Sequence, residues 1–407
     1  MAITEQTVRL TRETLDRVRE ELRALGLDGW LLFNFHNENP VASRMLGLPE
    51  LTRRYLVYLR AEGDPIAITH RIEQQPWEGW IGENRPYSSW RELETRLAEL
   101  LGSGPRVAME YFAGDGVPYV DLIPAGAVEM IRAAGARIET SADLVSAFYA
   151  RWSAEGEASH RRAARAVQET AHAAFARIAA GLRSGAEMSE WSIRGWIGEE
   201  FRRRGIMVGG DAIVAVNANA ANPHYAPAVD RHAPIRTGDL VLIDLWGKEP
   251  GDEAVYADQT WMAYAGDAVP DRWAGIFAAV RDARDGAIEV LRARHAAGET
   301  VAGFEVDDAS RSVVVERGYG EQFIHRTGHS IDRELHGSGP NIDNLETRDT
   351  RRLITGVGFS IEPGIYLAGD VGFRSEVNVF MGPDGPEVTT PDPQREIYAL
   401  LADPRFS

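Results

Sequence analysis

The hydrophobic pattern changes period several times along the chain, and each change marks an element. Residues 8–26 alternate charged residues with Leu and Val at helical spacing, and "GWLLFNF" then has the unbroken apolar run of a buried strand. "YLVYLRAEGDPIAITH" predicts a hairpin turning at Gly63-Asp64. "WRELETRLAELLGSG" predicts an amphipathic helix stopped by glycine, and "RVAMEY" predicts another strand. This alternation predicts a first α/β domain over residues 1–152. The Ala-rich stretch 154–183 predicts a long helix at the start of a second domain, 153–407, with another helix at "SEWSIRGWIGEEFRRRG". His160 and His172 sit on the first of these as surface or packing histidines. Strands are expected around 211–217, 240–246 and 254–264, helices over 271–295 and 305–318, and strands near 357–367 and 372–381. Helices and strands mix without strict βαβ alternation, so the fold class is α+β.

Two of these strand pairs carry acids where apolar residues belong. In "VLIDLWGKEPGDEAVYADQTW", Asp244 and Asp258 are 14 residues apart with Gly251 midway. In "GFSIEPGIYLAGDVGFRSEVNVFM", Glu362 and Glu376 are 14 apart with Gly369 midway. Residues equidistant from a hairpin turn lie opposite each other on one face, so each hairpin is expected to oppose two carboxylates. Like charges placed so repel, and burial raises the cost. A single strand acid is most often solvated or ion-paired; four in two matched pairs call for neutralisation. Two divalent cations would balance the four charges, and oxygen-rich sites suit Mn²⁺ and related ions, with Co²⁺ or Zn²⁺ as alternatives. His329 in "FIHRTGHSI" is available as an imidazole ligand. His325 and His329 have the i, i+4 spacing of a helical metal pair, but Arg-Thr-Gly between them disfavours a helix.

Composition narrows the partners. The 407 residues carry a net charge of -17 and no cysteine. An acidic surface argues against nucleic acid and anionic membranes. The chain has no apolar run of membrane-spanning length, and its start lacks the basic-then-apolar order of a signal peptide. A cytoplasmic location is the expectation. No HExxH, Walker A, GxGxxG or G-x-S-x-G stretch competes with the acid hairpins.

These segments resemble the M24 metallopeptidases of the pita-bread fold, the group that includes prolidase, aminopeptidase P and methionine aminopeptidase. "LIDLWGKEPGDEAVYADQTW" is similar to the family's first metal hairpin, "HRTGHSI" to its metal-histidine segment, and "SIEPGIY" and "GFRSEVNV" to its glutamate segments. The resemblance covers about residues 155–407, and the preceding creatinase-like domain points to the prolidase/aminopeptidase P branch. It implies Asp244 on one metal, His329 and Glu362 on the other, and Asp258 and Glu376 as bridges. It also implies substrate contacts for His224 and His336, a supporting position for His325, and an Arg374 that orients Glu376 or meets substrate. Thr260 is the expected supporting hydroxyl. The implied activity is hydrolysis of Xaa-Pro bonds, as an Xaa-Pro dipeptidase or, alternatively, as an aminopeptidase P on longer peptides, in a homodimer. A metal-free creatinase-like binding protein is the alternative of another class. Three departures bear on specificity: a longer Asp–Asp spacing, Asp332-Arg333 between the histidines, and Gly337 where an acid commonly follows.

Overall fold

The structure, a computed structural model, describes residues 10–114 and 116–406. The chain divides into two compact units, Met1–Tyr149 and Ala150–Ser407. The first unit opens with α1 (Arg12–Ala24), shorter than the expected 8–26; residues 8 and 9 lie outside the described residues. Thr11 caps it by accepting from the Thr14 N–H at 3.1 Å, and Leu15, Val18 and Leu22 form its buried stripe. Strands β1 (Gly29–Asn34), β2 (Tyr55–Arg60), β3 (Ile66–His70), β4 (Glu83–Tyr87), β5 (Arg106–Met109) and β6 (Arg137–Thr140) make one sheet in the order β4-β3-β2-β1-β5-β6. Helices α2 (Pro40–Leu46), α3 (Trp90–Leu101), α4 (Ala125–Ala133) and α5 (Ala142–Phe148) complete the unit. The whole of β1 is buried because alternate residues serve two cores. Trp30 and Leu32 join one apolar cluster, Leu31 and Phe33 the other.

The second unit begins with α6 (Ala154–Ser184) and α7 (Glu190–Arg203), close to the predicted spans. His160 is buried there between Tyr256 O and Thr389 Oγ1, both at 2.6 Å, and His172 packs edge-on against Trp261. Strands β7 (Ile213–Val216), β8 (Leu240–Gly247) and β9 (Ala257–Tyr264) then form an antiparallel sheet. Its two faces differ by parity. Val241, Ile243, Leu245 and Trp261 pack with α6 and α7, while Leu240, Leu242 and Met262 face the opposite core. Asp244, Asp258 and Thr260 share that second face. Helices α8 (Asp271–Ala296) and α9 (Gly303–Glu316) follow.

The remaining strands are β10 (Ser330–Ile331), β11 (Gly358–Ile361), β12 (Gly364–Leu367), β13 (Val371–Arg374), β14 (Val377–Gly382), β15 (Gly385–Val388) and β16 (Tyr398–Ala399). The single strands expected at 357–367 and 372–381 are each broken in two. The break falls at Glu362-Pro363 on one side and Ser375-Glu376 on the other. One register runs through it: Gly358 pairs with Phe380 and Ile361 with Val377, then Gly364 with Arg374 and Leu367 with Val371. Pro363 has no N–H to give the ladder. The two glutamate peptides instead turn outward, Glu362 N–H to Thr327 O at 2.7 Å and Glu376 N–H to Thr260 O at 3.5 Å. The break therefore delivers both carboxylates to the acid face of β8 and β9. No helix among the described residues is long and apolar enough to cross a membrane.

Candidate metal centre

Five side chains converge on that face. Asp244, Asp258, His329 and Glu376 are 7%, 5%, 4% and 3% exposed. His329 Nε2 stands 3.4 Å from Glu362 Oε1 and 3.6 Å from Asp258 Oδ2. Ligand atoms of Asp258, His329 and Glu376 all lie within 4.8 Å of one another, a group able to hold a metal ion.

The first hairpin corrects the expected register. Asp244 pairs with Thr260, and Asp258 pairs with Trp246. The turn does not centre on Gly251 but starts there, closed by the Ala254 N–H to Gly251 O at 3.2 Å. Gly251 has φ +136, so the sharpest bend sits at the first residue of the turn and the pairing slides. The two aspartates are diagonal neighbours rather than opposite. Because the slip is even, both still point to the same face.

Three oxygens make the case for a cation. Asp244 Oδ1, Asp258 Oδ1 and Glu376 Oε1 are buried and have no hydrogen-bond partner among the described residues. A buried carboxylate oxygen left so is costly, and three among neighbouring acids are accounted for by positive charge bound between them. The imidazole is prepared for the same task. His329 Nδ1 lies 3.1 Å from Ser330 O, which can only accept, so Nδ1 carries the proton and Nε2 presents its lone pair to the acids. Burial pushes the His329 pKa down, which keeps the ring neutral. Four carboxylates and one neutral imidazole form an oxygen-rich set suited to a divalent ion.

Without a cation the acids disturb one another. Burial, then the neighbouring carboxylates, raise Asp258 and Glu376 well above the usual range. Burial also pushes Asp244 up to about 7, against the opposing pull of Arg374. Glu362 goes the other way: burial raises it, but His329, His325 and Arg374 together hold it below its ordinary value.

Around the acids lies a scaffold of neutral and cationic donors. Thr260 Oγ1 donates to Glu376 Oε2 at 2.8 Å and Ser360 Oγ to Glu362 Oε1 at 3.0 Å. Arg374, expected to orient Glu376 or meet substrate, is buried and makes no hydrogen bond to Glu376 among those of the described residues. It pairs with Asp244 and donates to Thr260 Oγ1 at 3.0 Å, the hydroxyl that in turn donates to Glu376. On a broken strand the side chain two residues before Glu376 leans back over β8, whose acid is the nearer partner. His325 Nδ1 lies 2.6 Å from Arg326 O, and its Nε2 accepts from Tyr366 OH at 2.8 Å. Tyr366 OH in turn accepts from Arg374 at 3.2 Å. His336 is exposed at the rim, its ring edge-on to His329 with centroids 4.4 Å apart. His224 is also exposed, on the 222–225 turn.

Two supporting residues escaped the sequence reading. Asn378 clamps β9 to β14, accepting from the Asp258 N–H at 2.9 Å and donating to Asp258 O at 2.8 Å. A lone amide in the apolar run "SEVNVF", two residues after Glu376, was the available signal. Tyr366, four residues after Glu362, is the other. Gly328 has a steric role: a Cβ there would stand 2.0 Å from Ser360 O. The substitution Gly328→Ala is expected to cost about 3 kcal/mol of stability as β11 and His329 are pushed apart. Urea denaturation checks it, and an unchanged midpoint would show that the approach is not tight.

Residues 158–383, more than half of the chain, match the model of metallopeptidase family M24. The chain belongs to this family. It is 34% identical over 197 residues to the Xaa-Pro dipeptidase of Lactobacillus helveticus, covering 48% of each chain. It is 37% identical over 166 residues to the Xaa-Pro dipeptidase of Lactobacillus delbrueckii subsp. lactis, covering 41% of this chain and 40% of that one. The matches span about half the length of these curated relatives. Among solved structures, dipeptidase PepE from Mycobacterium ulcerans superposes with a TM-score of 0.68 at 23% identity, covering 95% of this chain and 96% of that one. The prolidase of Thermococcus sibiricus superposes at 0.63 and 24% identity, covering 96% and 99%. The M24 chain thus shares its α+β fold with these proteins over nearly its whole length.

Proposed function

We propose that this M24 chain hydrolyses Xaa-Pro peptide bonds with two bound divalent ions, Mn²⁺ foremost, and that its substrates are Xaa-Pro dipeptides. The observation that carries the reading is the buried group of Asp258, His329 and Glu376, flanked by Asp244 and Glu362, with three unpartnered carboxylate oxygens among the described residues. The similarity to two Xaa-Pro dipeptidases supports the substrate class. Asp244 would hold one ion, His329 and Glu362 the other, with Asp258 and Glu376 shared between them. Bound there, divalent ions polarise a carbonyl and make water a competent nucleophile near neutral pH.

The chain's own residues do the rest. Glu362 is held below the ordinary carboxylate range, with Arg374 the permanent cation among the groups around it, so it is ready to take a proton and pass it to the departing proline nitrogen. Its Oε1 is fixed by Ser360, which limits the carboxylate to one orientation. His336 and His224, both exposed at the rim, hold the substrate carbonyl or steady the charge that develops on its oxygen. Arg374 and Tyr366 keep Asp244 and His325 in place.

The test is a kinetic panel of Xaa-Pro, Xaa-Pro-Yaa and non-proline dipeptides with Mn²⁺, Co²⁺ and Zn²⁺. Xaa-Pro dipeptides are expected to be cleaved with a kcat/KM at least about tenfold above the other two classes. Preference for Xaa-Pro-Yaa would assign an aminopeptidase P activity instead. Metal analysis showing less than one ion per chain, with no activity on adding Mn²⁺, would assign a metal-free binding protein.

A further inference from the structure

The acid face of β8 and β9 continues past the carboxylates toward the hairpin turn, and there its chemistry changes. Trp246 follows Asp244 on the same face and pairs with Asp258 across the ladder. Tyr256 precedes Asp258 with the same parity. Both belong to an apolar group with Trp152, Ile331 and Phe380, against which Leu335, the neighbour of His336, also packs. The Tyr256 N–H donates to Asp332 O at 3.1 Å, which ties this wall to the segment running from His329 to His336. The other flank of the acids is polar: Arg374 lies on Asp244 and Thr260, and beyond it stand Tyr366 and His325. A peptide bond placed at the acids therefore meets an aromatic wall on one side and a cationic, hydrogen-bonding one on the other.

Two details set Trp246 apart from an ordinary core residue. Its ring is only partly buried, while its Nε1 is buried and donates to nothing among the described residues. The Gly209-Gly210 segment also lies directly on the wall. A Cβ on Gly210 would come within 3.3 Å of the Trp246 ring, and one on Gly209 within 3.0 Å of the Tyr256 hydroxyl. Glycine at both positions puts backbone without a side chain against the Trp246 ring and the Tyr256 hydroxyl, while Lys248 Nζ lies over the buried Tyr256 ring at 4.8 Å.

We infer that Trp246, with Tyr256 and Leu335, forms the subsite for the side chain of the residue on the amino side of the scissile bond, and that this subsite selects large apolar and aromatic side chains. The inference rests on the Xaa-Pro reading for its orientation. The flank of Arg374, Tyr366 and His325 is polar and its groups are bonded to one another, so it offers an apolar side chain little contact, which leaves the aromatic flank for Xaa. A flat indole beside the reacting centre gains contact area with Phe or Leu and little with Gly.

The test compares Phe-Pro, Leu-Pro and Gly-Pro hydrolysis by the metal-loaded protein and its Trp246→Ala and Trp246→Phe variants. The ratio of kcat/KM for Phe-Pro over Gly-Pro is expected to fall on the order of tenfold or more in Trp246→Ala and to recover in Trp246→Phe. A ratio that stays within about twofold of wild type in Trp246→Ala would overturn the assignment. Should Trp246→Ala not fold, Leu335→Ala on the same wall carries the comparison. If wild type cleaves no Xaa-Pro dipeptide, the Xaa-Pro reading fails, and calorimetric titration of L-phenylalanine and glycine decides the subsite. Binding of phenylalanine about tenfold tighter than glycine, lost in Trp246→Ala, supports it; equal binding of the two rejects it.

Discussion

Replacing Asp258 with Asn is expected to lower Xaa-Pro hydrolysis by on the order of 10⁴-fold, because the ligand proposed to be shared by the two ions is lost while the fold is kept. The substitution is isosteric, and the backbone of residue 258 stays clamped by Asn378 on both its N–H and its carbonyl. The strand therefore has no reason to move. What changes is the donor set. One of the three unpartnered oxygens disappears into an amide, and the negative charge left to hold two dications falls. Metal content by mass spectrometry should drop below two ions per chain. Glu376→Gln is expected to behave alike, since Thr260 can still donate to the remaining oxygen. Loss of activity alone would not separate a metal role from a structural one, but stability does. Removing a charge from a cluster that burial and mutual repulsion already disfavour should raise the melting temperature of the metal-free variant above that of metal-free wild type. A variant that keeps both ions and full turnover ends the assignment of Asp258 as a bridge.

Much of this centre was legible in the sequence because a carboxylate in a period-2 apolar run is a visible exception. Asp244, Asp258, Glu362 and Glu376 each stood out from apolar neighbours, and the even separation within each pair placed them on one face without knowledge of the register. The register itself was not legible. Whether a turn centres on Gly251 or starts there depends on the Ala254 N–H reaching Gly251 O, a choice that Pro250-Gly251 does not announce. The split of the two C-terminal strands was equally hidden. Pro363 marks where one ladder must fail, but nothing local says that Glu376 will find Thr260 on another sheet. Arg374 shows the limit of parity arguments: its face followed from its spacing to Glu376, whereas its partner came from the approach of β13 to β8. Trp246 read as an apolar flank because apolar residues are expected in strands. Its significance depends on what lies beside it, which only the fold supplies.

Stripping the metal should leave a protein that loses stability as pH rises, the opposite of what its other acids do. The sign follows from the raised pKa values. Asp244 is pushed up to about 7, and Asp258 and Glu376 lie well above the usual range, so between the ordinary carboxylate value and these raised values the folded chain holds protons that the unfolded chain releases. Stability then falls with pH, and the effect is complete only above the raised values. Carboxylates paired with arginine, such as Glu200 with its pKa lowered to about 2, gain stability as pH rises to about 5, and above about pH 6 they are ionised in folded and unfolded chains alike and add no slope. Bound cations replace the protons, so the metal-loaded protein should show no such decline. Denaturant unfolding of the loaded and chelator-treated forms at about pH 6 and pH 8.5 makes the comparison, with the loaded form cancelling every group remote from the centre. The gap between the two should widen by several kcal/mol toward the higher pH. Parallel curves would mean that the acids do not share the buried cluster described here, and the electrostatic basis for metal binding would go with it.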